Sequence, residues 1–281
     1  MQRLIQVIRF SMRERRAILV AFLRRDMLDA TSYKVAFAYQ LATLGSSVLT
    51  VYFLSRMVGE AQIRSLAAWG GAYFPFALIG VAVADYLNTS LTGFSRGIRL
   101  AQTVGTLEAM LATPASPSLI VIGSATYRFT WSAVRVAVYL LAGMVLGATF
   151  PSTNMGSVFL TIVLSIASFA SLGLLAASLV LLLKTVEPVS KLIAGLSWLL
   201  GGVLYPVESL PPVAQLIAWC LPVTHSLDAL RSALLLGAAP VEIASDLLWL
   251  LGFASIVSPL ALWSFRTAVR HLRHEGTVSH Y

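Results

Sequence analysis

Polar and apolar positions along the chain alternate on a coarse scale, with long uncharged stretches separated by short basic ones. Val35 to Ser55 carries no charge, and Ser65 to Ser95 carries only Asp85. Val136 to Leu183 is uncharged, as is Leu247 to Phe265. About 20 apolar residues cross a bilayer. The Val136–Leu183 stretch is therefore two spans, broken at Pro151-Ser152-Thr153-Asn154. The pattern predicts an all-α polytopic membrane protein, 1–281 forming one transmembrane domain with six transmembrane helices, at roughly 35–56, 70–94, 118–149, 155–183, 191–206 and 243–265.

Three segments outside these spans carry their own patterns. In residues 2–30, Leu4, Ile5, Ile8, Met12, Leu19, Phe22 and Leu23 share one helical sector, with Arg9, Arg13, Arg16 and Arg24 beside it. This predicts an interfacial amphipathic helix within 1–34, whose basic residues meet anionic lipid; a plain basic flank that only sets topology is the alternative. The loop 95–117 is long for a connection between adjacent spans. Gly97–Ala112 suits a short helix, ended by Thr113-Pro114 and Pro117. Such a helix either meets a soluble partner or rests on headgroups. The segment 207–240 is moderately apolar but holds Pro211, Pro212, Pro222, Glu208, His225, Asp228 and Arg231. Unsatisfied backbone groups are costly in hydrocarbon. The expectation is a pair of short re-entrant helices on the outer side, containing Cys220, with an ordinary outer loop as the alternative.

Composition agrees with membrane residence: 58% of the 281 residues are hydrophobic and 11% charged, against about 25% charged in soluble domains, and the mean hydropathy is +0.82. Charge placement gives an orientation. With both termini in the cytoplasm, 15 of the 20 Lys and Arg lie inside, including Arg96, Arg99, Lys184 and the basic 267–281 tail, and only Arg56, Arg64 and Arg231 lie outside. The expected location is the inner or plasma membrane. Trp249 and Trp263 stand at opposite ends of the sixth span, 241–266, as aromatic belts do. No cleavable signal peptide is expected, because Ala17–Leu23 is short and closed by Arg24-Arg25. The single cysteine excludes an intrachain disulfide and a Cys-based zinc site.

Catalytic patterns are sparse. A P-loop needs Gly immediately before Lys, and the lysines here follow Tyr33, Leu183 and Ser190. Any ATPase must be another chain, so no cofactor is expected in this one. No His-Glu-x-x-His occurs, and His225, His271, His274 and His280 share no metal-ligand spacing. Gly93-Phe94-Ser95-Arg96-Gly97 matches Gly-x-Ser-x-Gly, but that elbow joins a strand to a helix, whereas this one marks the end of a hydrophobic helix. Within the spans stand Asp85, Arg128 and Arg135. Asp85 and Arg128 both fall roughly 13–16 Å deep at 1.5 Å per residue, and are expected to form an intramembrane charge pair that fixes helix registry or serves transport. Gly143-x-x-x-Gly147 suits close helix approach or is chance. Tyr73, Phe74, Phe76, Trp198 and Tyr205 either line a path for an amphiphile or anchor helices at the interface.

Taken in order, these elements resemble the ABC-2 type permeases, the membrane subunits of one class of ABC exporter. Residues 105–117, Gly-Thr-Leu-Glu-Ala-Met-Leu-Ala-Thr-Pro-Ala-Ser-Pro, resemble the family's Gly-Thr-Leu-Glu-x-Leu-x-x-Thr-Pro-x-Ser-Pro segment, with Met110 for the commoner Leu. Residues 202–211, Gly-Val-Leu-Tyr-Pro-Val-Glu-Ser-Leu-Pro, are similar to its Gly-x-x-Tyr/Phe-Pro-x-x-x-Leu-Pro stretch. Leu221 to Arg231 then resembles its continuation, with His225 where a small or apolar residue is common. The resemblance implies that the loop helix couples to an ABC ATP-binding subunit through Leu107, Glu108 and Leu111, and that ATP and Mg are held by that partner. It also implies a second permease copy, as a homodimer or heterodimer, and a path between the two. The substrate expected is hydrophobic or amphipathic, a drug or lipid, with a lipid-linked glycan or polysaccharide second. A secondary carrier is disfavoured by the few intramembrane charges, a lipid-acting enzyme by the absence of clustered Asp, Glu or His at one face. A scaffold role stays open.

Overall fold

A computed structural model describes residues 20–28, 32–58, 66, 69–103, 117–183 and 188–275. Among them there are helices and no strands. Residues 20–28 are helical, and eight further helices follow: α1 Lys34–Val58, α2 Tyr73–Thr103, α3 Pro117–Val145, α4 Met155–Leu183, α5 Pro188–Leu200, α6 Pro212–Trp219, α7 Pro222–Arg231 and α8 Ala244–Glu275. A π-helical turn, Ser232–Leu236, extends α7.

The boundaries follow residue chemistry. Pro117, Pro188, Pro212 and Pro222 each open a helix, where the missing N–H has no intrahelical acceptor to serve. Asn154 caps α4, its Oδ1 accepting from the Ser157 N–H at 3.1 Å. Gly147, at φ 98°, lets the chain leave α3 in a left-handed turn, in which the Gly147 N–H donates to the Met144 carbonyl and the Ala148 N–H to the Gly143 carbonyl. It is a helix terminator rather than half of a packing motif, and Gly143 alone faces a neighbour, Leu78 of α2.

By length and composition, α1, α2 up to Phe94, α4 and α8 up to Arg270 can cross a membrane. The α6–α7 pair, bent by 86°, makes a broken span or re-entrant loop that raises this to five. α3 is 29 residues long, about 44 Å at 1.5 Å per residue, but carries Arg128 and Arg135; α5 is shorter and apolar. The expected break after residue 94 is absent, because α2 runs on to Thr103 through residues assigned to a separate loop helix. One glycine costs a helix only about 1 kcal/mol, which Gly97 does not raise far enough to end it. The fifth element stops at Leu200, short of residue 206.

A core of Leu78, Ile79, Leu87, Tyr139, Phe169 and Leu227 joins α2, α3, α4 and α7. On α4, Ser157, Thr161, Ser165, Ser168, Ser171 and Ser178 are all buried, recurring at helical spacing. Small hydroxyl residues let helices approach and bond where apolar burial gives no drive in lipid. Ser168 donates to the Leu250 carbonyl at 3.0 Å, Ser178 and Ser264 meet at 2.8 Å, and both tie α4 to α8.

Candidate functional site

Three helices turn polar stripes toward one another at the end of the bundle where α2 finishes and α3 begins. α2 contributes Asp85, Asn88, Thr89, Thr92 and Arg96, spaced by three or four residues, which places them on one face. α3 contributes Arg128, Trp131, Ser132 and Arg135 at the same spacing, and α1 contributes Tyr39, Gln40 and Thr43. With Arg25 and Asp26 they line a cavity of about 670 Å³. Trp131 Nε1 donates to Gln40 Oε1 at 2.8 Å and its ring packs against Phe37 at 5.5 Å, holding α1 to α3. Arg25 and Asp26 form an ion pair at 2.6 Å.

The intramembrane ion pair is Asp85–Arg135, Oδ1 to Nη2 at 2.8 Å, and not Asp85–Arg128. The reason is helix length. Asp85 stands 18 residues before Thr103, and Arg135 stands 18 residues after Pro117, so the two are level in antiparallel helices. Ending the second span at residue 94 had set Asp85 too near the helix end. Arg128 lies two turns nearer that end, with its stem across Gly93 at 3.7 Å from a Cβ built there. That is ordinary van der Waals contact, so the arginine stem packs against this turn of α2. Asp85 Oδ2, Ser132 Oγ and Arg135 Nε are buried without a partner among the described residues, which is uncommon for polar atoms.

The opposite end is tied shut. Arg231 is 1% exposed. It donates from Nη2 to the Val203 carbonyl at 2.9 Å and from Nη2 and Nε to the Phe76 carbonyl at 3.2 and 3.3 Å. Its guanidinium lies 3.4 Å from the Phe76 ring centroid. One side chain therefore links α7, the start of α2 and the loop after α5. A Cβ on Gly80 would collide with the same Val203 carbonyl and crowd Arg231. Beside this clamp, His225 Nδ1 meets Asp246 Oδ1 at 2.8 Å and Nε2 meets the Trp219 carbonyl at 3.0 Å. Its ring stacks on Trp249 at 4.2 Å. Trp249 is half-buried in this stack, whereas Trp263 is exposed.

The proposed path aromatics do not converge. Phe76 is fully buried beneath Arg231 and offers a path no surface, so its place in that set is corrected. Trp198 is exposed on α5, Tyr205 turns its hydroxyl to the Leu199 carbonyl, and Tyr73 is half-buried near Arg231. Cys220 is exposed at the α6–α7 bend. Leu107, Glu108 and Leu111 lie outside the described residues, as do residues 1–19, where most of the expected amphipathic helix falls. Counting charges alone overlooked the cavity. The signal was in the uncharged polar residues, since Asn88, Thr89, Thr92, Gln40, Thr43 and Ser132 continue the stripes of Asp85 and Arg135.

Comparison with known proteins places this architecture. Residues 19–235, from the N-terminal segment to the π-helical turn, match the family model of the ABC-2 type transporter. Nodulation protein J of Neorhizobium galegae is 30% identical over 225 residues, which cover 77% of this chain and 80% of that protein. The match takes in both the polar cavity and the Arg231 clamp, and the chain belongs to the ABC-2 type transporter family of membrane transport subunits.

Proposed function

We propose that this protein is the permease subunit of an ATP-driven exporter, forming with a second permease copy a path across the inner or plasma membrane for a hydrophobic or amphipathic substrate. ABC-2 permeases work with an ATP-binding subunit, and family membership supports that partner here. The observation that carries the reading is the asymmetry of the bundle, with a polar cavity at the α2–α3 loop end and a hydrogen-bonded clamp at the other. An exporter resting with its loading end open and its exit closed has this arrangement.

In this reading the six spans are α1 to α5 and α8, the α6–α7 pair re-enters from outside, and both termini are cytoplasmic. The charge bias supports the orientation, and the helix over 20–28 supports an interfacial N-terminal element. Energy enters through the α2–α3 loop. Leu107 and Leu111 are i, i+4 neighbours if that segment is helical and fill an apolar pocket on the ATPase, with Glu108 meeting a basic group at the rim. ATP closing the ATPase dimer draws the two loops together and opens the path outward.

The test is recovery of the ATPase with this chain. Leu107→Asp and Glu108→Arg are expected to reach the membrane in normal amounts while losing the ATPase or its stimulation, since a central apolar anchor and a rim charge both govern such contacts. Normal ATPase recovery and normal transport in both variants would contradict the coupling role.

A further inference from the structure

We infer that the cavity between α1, α2 and α3 binds the anionic headgroup of an acidic amphiphile, with Arg96 and Arg128 as the groups that contact the anion. The inference rests on the exporter reading for its cytoplasmic orientation, and it adds the charge class of the substrate. Four guanidinium groups face the cavity, from Arg25, Arg96, Arg128 and Arg135, against two carboxylates, from Asp26 and Asp85. Each carboxylate already holds one arginine, Asp26 holding Arg25 and Asp85 holding Arg135. Among the described residues Arg96 and Arg128 are left without an ion pair of their own; Arg128 feels Arg96 as a like charge, and Asp26, already held by Arg25, as an opposite one. Two like charges held together between apolar helices favour an anion that bridges them, and a phosphate-class group accepts from both guanidinium forks.

Two further observations point to a ligand of mixed character. Deeper in the cavity, Ser132 Oγ and Arg135 Nε are buried donors without acceptors, and Asp85 Oδ2 is a buried acceptor without a donor. Headgroup hydroxyls and phosphoryl oxygens supply both kinds of partner. The α1 wall is also one helix thick. Tyr39 lines the cavity yet is 69% exposed, and Val35 and Phe53 on the same helix are exposed too. The cavity therefore opens beside an apolar surface along which an acyl chain can lie while its headgroup sits among the arginines. A freely soluble anion has no use for that surface.

The test uses the full chain purified in a neutral detergent, with binding of short-chain phosphatidate, phosphatidylcholine and inorganic phosphate followed by native mass spectrometry. Phosphatidate is expected to bind at least about tenfold more tightly than either of the others, because each charge-assisted contact contributes on the order of a tenfold factor or more. Arg128→Gln and Arg96→Gln should each weaken phosphatidate by about tenfold, Arg128→Lys by less, and the exposed Arg270→Gln not at all. Should Arg128→Gln fail to fold, the exposed Arg96 carries the same test. Equal binding of phosphatidylcholine, or wild-type phosphatidate binding in both glutamine variants, overturns the inference. Inorganic phosphate binding as tightly as phosphatidate overturns the amphiphile. A wild-type chain that recovers the ATPase but binds no phosphatidate strikes this inference alone, and a wild-type chain that binds phosphatidate but recovers no ATPase strikes the exporter reading alone.

Discussion

Arg231 and Arg128 are both arginines among apolar helices, yet their surroundings differ. Arg231 is enclosed, stacked on Phe76 and donating to two backbone carbonyls from separate segments. Arg128 rests its stem on Gly93 and faces a cavity shared with Arg96. A buried guanidinium with fixed acceptors is structural, because its removal strands the groups around it. Arg128 stands on a cavity wall between a like charge, Arg96, and an opposite one, Asp26, with no fixed acceptor of its own among the described residues. The comparison separates a closed end, where polar groups are used up by the fold, from an open end, where they are left for something else.

The largest expected effect is at the closed end. Arg231→Leu removes three hydrogen bonds and leaves Asp228 without its cationic neighbour, and should cost about 3–5 kcal/mol, as loss of one partner of a buried charge network does. Thermal unfolding of the purified chain measures it. Wild-type stability would show that the clamp does not hold α7 to α2.

Next comes the pair at the deep edge of the cavity. Asp85→Asn or Arg135→Gln alone should cost about 1–3 kcal/mol, less than the clamp because each side chain is 19% exposed. The exchange Asp85→Arg with Arg135→Asp should restore part of the loss. The exchange with Arg128→Asp should restore none, and rescue there would contradict the registry of α2 against α3.

The smallest stability effect is at Arg128. Replacing it with Gln removes both its repulsion with Arg96 and its attraction to Asp26, and should leave stability within about 0.5 kcal/mol of wild type. A loss as large as that of Arg231→Leu would erase the distinction between the two ends.

Sequence reasoning reached the helical class, the membrane residence and the family, because long uncharged stretches and the 202–231 motifs are local features. It found the bent pair at 207–240 from its prolines and charges. It mistook the partner of Asp85, because depth was counted from an assumed helix end at residue 94 and α2 continues to Thr103. The clamp was illegible in a different way. Arg231 acts on carbonyls of Phe76 and Val203, which have no side-chain signature, at separations of 155 and 28 residues. The same holds for the stacking of Trp249 on His225, which comes from another helix.

In the proposed orientation the polar cavity opens to the cytoplasm while the clamped end faces outward. An impermeant maleimide tests it on two positions, the native Cys220 at the α6–α7 bend and a cysteine at Thr92 in the cavity, the latter in a Cys220→Ser background. Cys220 should label in intact cells, and Thr92→Cys should label in inside-out vesicles and not in intact cells. Labelling of Thr92→Cys from outside, with Cys220 reached only from inside, would reverse the orientation and rule out a cavity that loads from the cytoplasm.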